Sequence, residues 1–459
     1  MAKNKEKDGN QVWVIVVIVM ISAFVTPFNS NAINIAIPSI ANELGGSQYW
    51  LNLVVSAFLI PCAAFLLPFG RFADQYGRKR IFLIGTCVFS AASLGCSLSP
   101  SLLALVLFRA LQGIGSAMVF GTSTAILSSA VPPQSRGKML GLVSSSTYVG
   151  LSAGPVLGGF LTNVFTWRGI FYFNVLLTLI ILVLALWKMR GEWKGTAAKI
   201  DSLGSVLCVA AQILIIFGLG DLTAGYLFRI CFAAGVIILV IFILYERKRK
   251  DPLIPIETIA KNRLFVFSNL ATLINYSATF ALSFVYSLYL QIALGIDIAT
   301  CGLIMLVQPV LMAVLSPLTG SLSDRVRPTI LASMGMGIMT VGVFCFIFLT
   351  LNTPIFLFIL NLAFIGVGFA LFASPNTNAV MGSVDTTLYG VASSLMSNMR
   401  MLGQSISMAI VSLITSVIIR ETLIGSAEYV GKLMTSMRII LIVFAVLCGV
   451  GIFTSLARE

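Results

Sequence analysis

The sequence contains no histidine, and only 16 of its 459 residues are Asp or Glu. Without histidine there is no imidazole to ligate a metal, activate a serine or cysteine, or relay a proton near neutral pH. An enzyme is therefore disfavoured, and neither a cofactor nor a metal site is expected. Charge of either sign is scarce, at 10% against the roughly 25% of soluble domains. The eight cysteines include no C-x-x-C pair and sit in or beside apolar runs. They read as small buried hydrophobes, not as a disulfide framework.

What fills the chain instead is apolar: 58% of residues are hydrophobic and the mean hydropathy is +1.01. That excludes a soluble globular domain and a disordered chain alike. The net charge of +13 does not point to nucleic acid, because the basic residues form short clusters between apolar runs. The partner that this pattern predicts is a lipid bilayer.

A membrane helix needs about 20 mostly apolar residues. Such runs lie near 12–38, 49–69, 81–100, 102–131, 139–164, 169–188, 202–220, 224–245, 264–294, 298–319, 329–350, 354–375, 388–419 and 434–456. The expectation is an all-α integral membrane protein with fourteen spans and no room for a soluble domain. Lys3, Lys5 and Lys7 before the first run imitate a signal peptide, but thirteen further spans favour a retained first helix. Arg71, Arg78–Arg80, Arg136, Lys138, the clusters of 188–199 and 247–263, Arg325 and Arg327 fall on one side. Only Arg168, Arg229, Arg420, Lys432 and Arg438 fall on the other. The positive-inside rule then puts both termini in the cytoplasm of a plasma (inner) membrane.

Gly70-x-x-x-Asp74 recurs as Gly320-x-x-x-Asp324, and Gly113-x-Gly115 as Gly366-x-Gly368. The offset predicts two six-helix bundles related by pseudo-two-fold symmetry, residues 1–190 and 251–459. A central two-helix hairpin, spans seven and eight, occupies 191–250. Parallel repeats of this kind mark transporters.

The loop after span two carries Gly70, Asp74, Gly77, Arg78, Lys79 and Arg80 in a G-x-x-x-D-x-x-G-R-K-R string. Its carboxylate is able to pair with the neighbouring cations or accept from the first amides of another helix. Span four has Arg109-x-x-Gln112-Gly113-x-Gly115; span five has Gly150-x-x-x-Gly154-Pro155-x-x-Gly158-Gly159. With Trp167-Arg168, Tyr289-x-Gln291 and the Arg400 region, these strings resemble the major facilitator superfamily, in particular its fourteen-span drug:proton antiporter branch. The resemblance covers essentially the whole chain. It implies multidrug or toxic-compound efflux by alternating access with proton antiport, by a monomer acting on a small amphipathic or organic-ion substrate. It also implies that Asp74 and Arg78 latch the cytoplasmic side against the start of span thirteen, near Thr386–Gly390. The second copy lacks the glycine and the basic run, so one strong latch is expected. Gly150, Gly154, Pro155, Gly158 and Gly159 read as a hinge and seal between the halves.

Two cations lie within spans. An intramembrane arginine is costly and defaults to function, so Arg109 and Arg400 are substrate or coupling candidates expected to face the central cleft. Asn29, Asn31, Asn34 and Gln112 are the amide candidates, with Asn31 and Asn34 able to share a face. In the antiporter branch an acidic residue commonly stands where this chain has Asn29, and no acid falls clearly at mid-membrane. Three readings stay open: coupling through boundary acids such as Asp74, Asp221 or Asp297; an uncoupled or exchange carrier; or an organic anion bound by Arg109 and Arg400. A non-transporting receptor or scaffold is the alternative of another class.

Overall fold

The computed structural model describes residues 2–45, 48–189, 191–194, 201–220, 225–249, 252–253, 260–419 and 427–457. Asp221 and Arg420 lie outside them. Hydrocarbon offers no water to satisfy backbone polar groups, so a spanning chain must bond internally, and helices do so within each segment. Among the described residues, fourteen helices are long and apolar enough to cross a membrane.

In chain order they are α1 (Ala2–Leu44), α2 (Gln48–Tyr76), α3 (Arg78–Ser97), α4 (Leu102–Ala130), α5 (Arg136–Phe165) and α6 (Arg168–Lys188). The hairpin follows as α7 (Ser202–Gly220) and α8 (Tyr226–Glu246). The second half comprises α9 (Arg263–Ala293) and α10 (Thr300–Leu322), then α11 (Pro328–Phe346), α12 (Ile355–Gly382), α13 (Tyr389–Ile418) and α14 (Ala427–Leu456). α9 is interrupted near Phe280 and closes on a π turn at Tyr289–Ala293.

Each half packs as a bundle with its own apolar core. One core joins Phe28, Ile33, Val54, Leu105 and Trp167; the other joins Tyr286, Met336, Phe346, Phe358 and Phe444. The halves meet along two seams, α5 against α10 and α2 against α13. Lipid tails are as apolar as the side chains, so close van der Waals contact holds such seams together. Glycine supplies it: a Cβ on Gly141 would lie 2.9 Å from Pro317 Cα and nearer still to the Ser316 carbonyl. α7 lies beside the second seam, against α2 and α13. There Asn398 donates to Gln212 of α7 and, at 3.1 Å, to the Ala63 carbonyl of α2.

Candidate functional site

Two places gather the polar residues of the two-halved bundle: the basic end of the seams and a cavity at their middle. The string after α2 builds the first. Gly77, at φ 114°, makes the turn from α2 to α3 that an L side chain would resist. The turn brings Arg78, the first residue of α3, back to Asp74 near the end of α2, and the two pair at 2.7 Å with almost no exposure of either. The Asp74 carboxylate also accepts from the backbone N–H groups of Gly390 and Val391, both at 3.1 Å. These are first-turn amides of α13, so the carboxylate sits at a positive helix end belonging to the other half. Arg78 donates to the Thr386 carbonyl at 2.6 Å and to Ser129 at 2.7 Å. Gly70 lets α2 approach Ser394 and the Gly390 carbonyl. Lys79 is tied to the chain after α6, donating from its amide to Glu192 and from Nζ to the Met189 carbonyl. Arg80 is exposed.

The second copy corrects the expectation of a single strong contact. Asp324 accepts from the first amides of α5, Gly137 at 2.7 Å and Lys138 at 2.9 Å. The degenerate copy keeps the part that matters at a helix end, the carboxylate; among the described residues no arginine pairs with Asp324 as Arg78 does with Asp74. Between the two sites, Arg78 and Arg136 of the first half both lie over the Tyr389 ring of the second, at 5.7 and 5.3 Å. In the sequence Tyr389 carries no signal of this role, and Arg136 reads only as a basic-side charge. Its position one residue before the Gly137 amide was the available signal.

At the level of Arg400 the halves enclose a cavity of about 50 Å³, lined by α1, α4, α5, α12 and α13, room for a few waters. Arg400 lines it; Arg109, contrary to expectation, does not. The Arg109 side chain is fully buried inside the first half, over the Phe58 ring at 4.6 Å. It donates to the Val54 carbonyl at 3.1 Å and to Gln112 Oε1 at 2.8 Å. Gln112 also accepts from Asn29 at 3.3 Å and donates to Ser93 at 2.7 Å, while Asn174 donates to Asn29 at 2.8 Å. Asn29, Gln112 and Arg109 thus form one internal chain of amides across α1, α4 and α6, without an acid. Gln112 and a helix carbonyl take two nitrogens of the guanidinium, Nη2 is buried with no hydrogen-bond partner among the described residues, and Phe58 of α2 covers one face.

The other amides separate. Asn31 donates to the Leu151 carbonyl of α5 at 3.1 Å, whereas Asn34 is exposed, so they do not share a site. The span-five glycines are also corrected. Gly150, Gly154 and Gly158 face α1, where added Cβ atoms would meet Phe24, Asn31 and Ala32. They close a helix pair within the first half, not the seam between halves; Pro155 is exposed and Gly159 touches only Ile35.

On the far side of the first half, Glu43 accepts from Arg168 at 2.5 Å and from Trp167 Nε1 at 2.8 Å. The Arg168 hydrogen bond holds the Glu43 carboxyl below its ordinary value.

Two bundles joined along glycine seams, gripped at one end and hollow at the middle, define a membrane transporter of the two-repeat type and not an enzyme. The chain belongs to the Major Facilitator Superfamily, whose family description matches residues 19–408 and, in a second match, 268–457. It is 27% identical over 406 residues to the riboflavin transporter RibZ of Clostridioides difficile, covering 88% of each chain. It is likewise 27% identical to the multidrug resistance protein Stp of Mycobacterium tuberculosis, over 85% of this chain and 73% of that one. The human organic anion transporter MFSD10 has the same fold, with a TM-score of 0.62 at 13% identity, over 96% of this chain and 99% of that one.

Proposed function

We propose that the protein is a secondary-active carrier of a plasma membrane that exports small amphipathic organic compounds by alternating access. The observation that carries this reading is the unevenness of the seam. One stripe of α5 runs through Gly137, Gly141, Ser145 and Tyr148 and continues through Ser152, Val156 and Asn163. The first part is pressed against the second half: Gly137 on Asp324, Gly141 on Ser316 and Ser145 donating to the Ala313 carbonyl. Further along the same stripe Val156 is 60% exposed, and Asn163 is exposed too. Contact at the basic end and exposure farther along support halves that close at that end and part beyond the middle, as one limb of an alternating cycle requires. The basic loops support a cytoplasmic closed end, and with it cytoplasmic termini.

RibZ is named a riboflavin transporter and Stp a multidrug resistance protein, which supports a small organic substrate. The family reading adds proton antiport. Among the described residues no Asp or Glu lines the central cavity, so an exchanged proton is taken up at the basic end, where Asp74, Asp201 and Glu246 are buried. An uncoupled or exchange carrier is the second reading, favoured by the same acid-free cavity.

The test is reconstitution into proteoliposomes and transport of an amphipathic dye with and without an imposed pH gradient. Accumulation that follows the gradient and is lost in Asp74→Asn, Asp201→Asn or Glu246→Gln supports antiport. Movement indifferent to the gradient assigns the uncoupled carrier, and no movement of any compound rejects the transport reading.

A further inference from the structure

The central cavity is chemically one-sided. Arg400 is the only charged side chain among the described residues that line it. It lies eleven residues into α13 from Tyr389, or roughly 17 Å along the helix, near the middle of a hydrocarbon core about 30 Å thick. A guanidinium there needs a counter-charge, dense hydrogen bonding or water. Its Nε is shut off from solvent with no hydrogen-bond partner. The guanidinium has a face over the Tyr276 ring at 5.4 Å, which offsets part of the cost.

The hydroxyls around it fall into two groups. Ser22, Ser123, Thr147 and Thr377 each donate to the carbonyl one turn back in their own helix, and so offer the cavity only lone pairs. Thr124, Ser144 and Ser397 line the same cavity and, among the described residues, their hydroxyls make no hydrogen bond, so they are able to donate. The wall therefore carries one cation and three available donors, with no anionic acceptor. Behind Arg400, outside the cavity lining, stands an aromatic cluster: Arg400 lies over Tyr276, and Phe369 meets Tyr276 edge-on at 5.6 Å and Tyr148 at 6.4 Å. Tyr148 comes from the first half; Tyr276, Phe369 and Arg400 come from the second.

We propose that Arg400 anchors an anion subsite, and that the transported compounds are aromatic organic anions carrying a single carboxylate or sulfonate. The planar group meets the guanidinium fork, which is pre-shaped for it. Thr124, Ser144 or Ser397 donates to the remaining lone pairs; the cavity of about 50 Å³ admits only that head group, and the aromatic body lies beside Tyr276 once the halves part further. Because the wall is drawn from both halves, the anion supplies a reason for them to close around it. This rests on the carrier reading above and narrows its substrate class. Arg109, held by Gln112 within the first half, takes no part.

The test uses the full-length protein in lipid nanodiscs and three probes that differ in charge: naphthalene-1-sulfonate, trimethyl(1-naphthyl)ammonium and neutral naphthalene-1-methanol. Calorimetry should find the sulfonate bound at least tenfold more tightly than either of the others. Arg400→Gln should remove that preference, and Arg400→Lys should retain part of it. Equal binding of the three probes to the unaltered protein, or no sulfonate binding, overturns the proposal, and this comparison does not depend on any variant folding. So does an Arg400→Gln protein that keeps the full sulfonate preference. Proteoliposome transport of the same probes separates the two levels of the argument. Movement of the cation but not the sulfonate refutes the subsite and leaves the carrier standing, whereas movement of none refutes the carrier and the subsite with it.

Discussion

Neutralising Asp74 should spring the basic end open. The Asp74–Arg78 ion pair lies within the first half and survives opening, so its energy does not enter the closed-to-open difference. What opening breaks are the bonds across the seam: from the Gly390 and Val391 amides to Asp74, and from Arg78 to the Thr386 carbonyl. Hydrogen bonds to a charged group contribute about 1.5–3 kcal/mol each, and a carboxylate at a helix N-terminus about 0.3–1 kcal/mol more. Asn keeps one acceptor oxygen but neither the second nor the charge. Asp74→Asn should therefore shift the equilibrium by about 2–3 kcal/mol, roughly 30- to 150-fold toward the open state. Spin labels at Tyr76 and Thr387, exposed on opposite halves, report it by pulsed distance measurement after the native cysteines are replaced. A second, longer-distance population should appear in Asp74→Asn. A distribution superimposable on that of the parent would refute the argument that this carboxylate grips α13.

Gly141→Ala should also hold the basic end open, because its Cβ meets backbone of Ser316 and Pro317 that has no rotamer to yield; faster thiol labelling of a cysteine placed at Ser145 checks it. Arg109→Met should leave thermal stability unchanged or raised, since a lone buried cation is replaced by an apolar chain of similar length. It should also leave the probe charge preference intact; loss of that preference would move the anion site to Arg109. Glu43 has its carboxyl held below the ordinary value by Arg168. Its contribution is therefore present above the unfolded-state pKa and lost as pH falls through the lower folded value. The melting temperature of the parent should exceed that of Glu43→Gln at pH 6, and the gap should close as the solution is acidified below about 4. A gap constant with pH would disprove the sign.

Much of the architecture could be read in advance, because the bilayer imposes it. Apolar run length marks a span, and basic loops mark a side; both are properties of a segment alone. The Asp74–Arg78 pair is legible as a carboxylate set among cations in the short G-x-x-x-D-x-x-G-R-K-R string. The resemblance named Thr386–Gly390 as the contact, and the bonds run to Thr386, Gly390 and Val391. The second carboxylate was undervalued because the reading weighed the missing basic run around Asp324, whereas the α5 amides respond to the carboxylate itself. The span-five glycines were assigned to the wrong surface. A stripe of small residues says that something packs closely, not which helix does.

The two arginines draw the line between the two kinds of knowledge. Chain chemistry alone establishes that each is a cation within a span, that acids are few, and that such charges need partners. Which partner each has depends on which helices stand beside it. Arg109 has α2 over it and Gln112 one turn away, and is absorbed into the first half; Arg400 meets the space between halves, where Tyr276 covers one face of it. Length and hydropathy are additive along a sequence and survive without a fold. Facing is a relation among helices distant in the chain, and only their packing decides it.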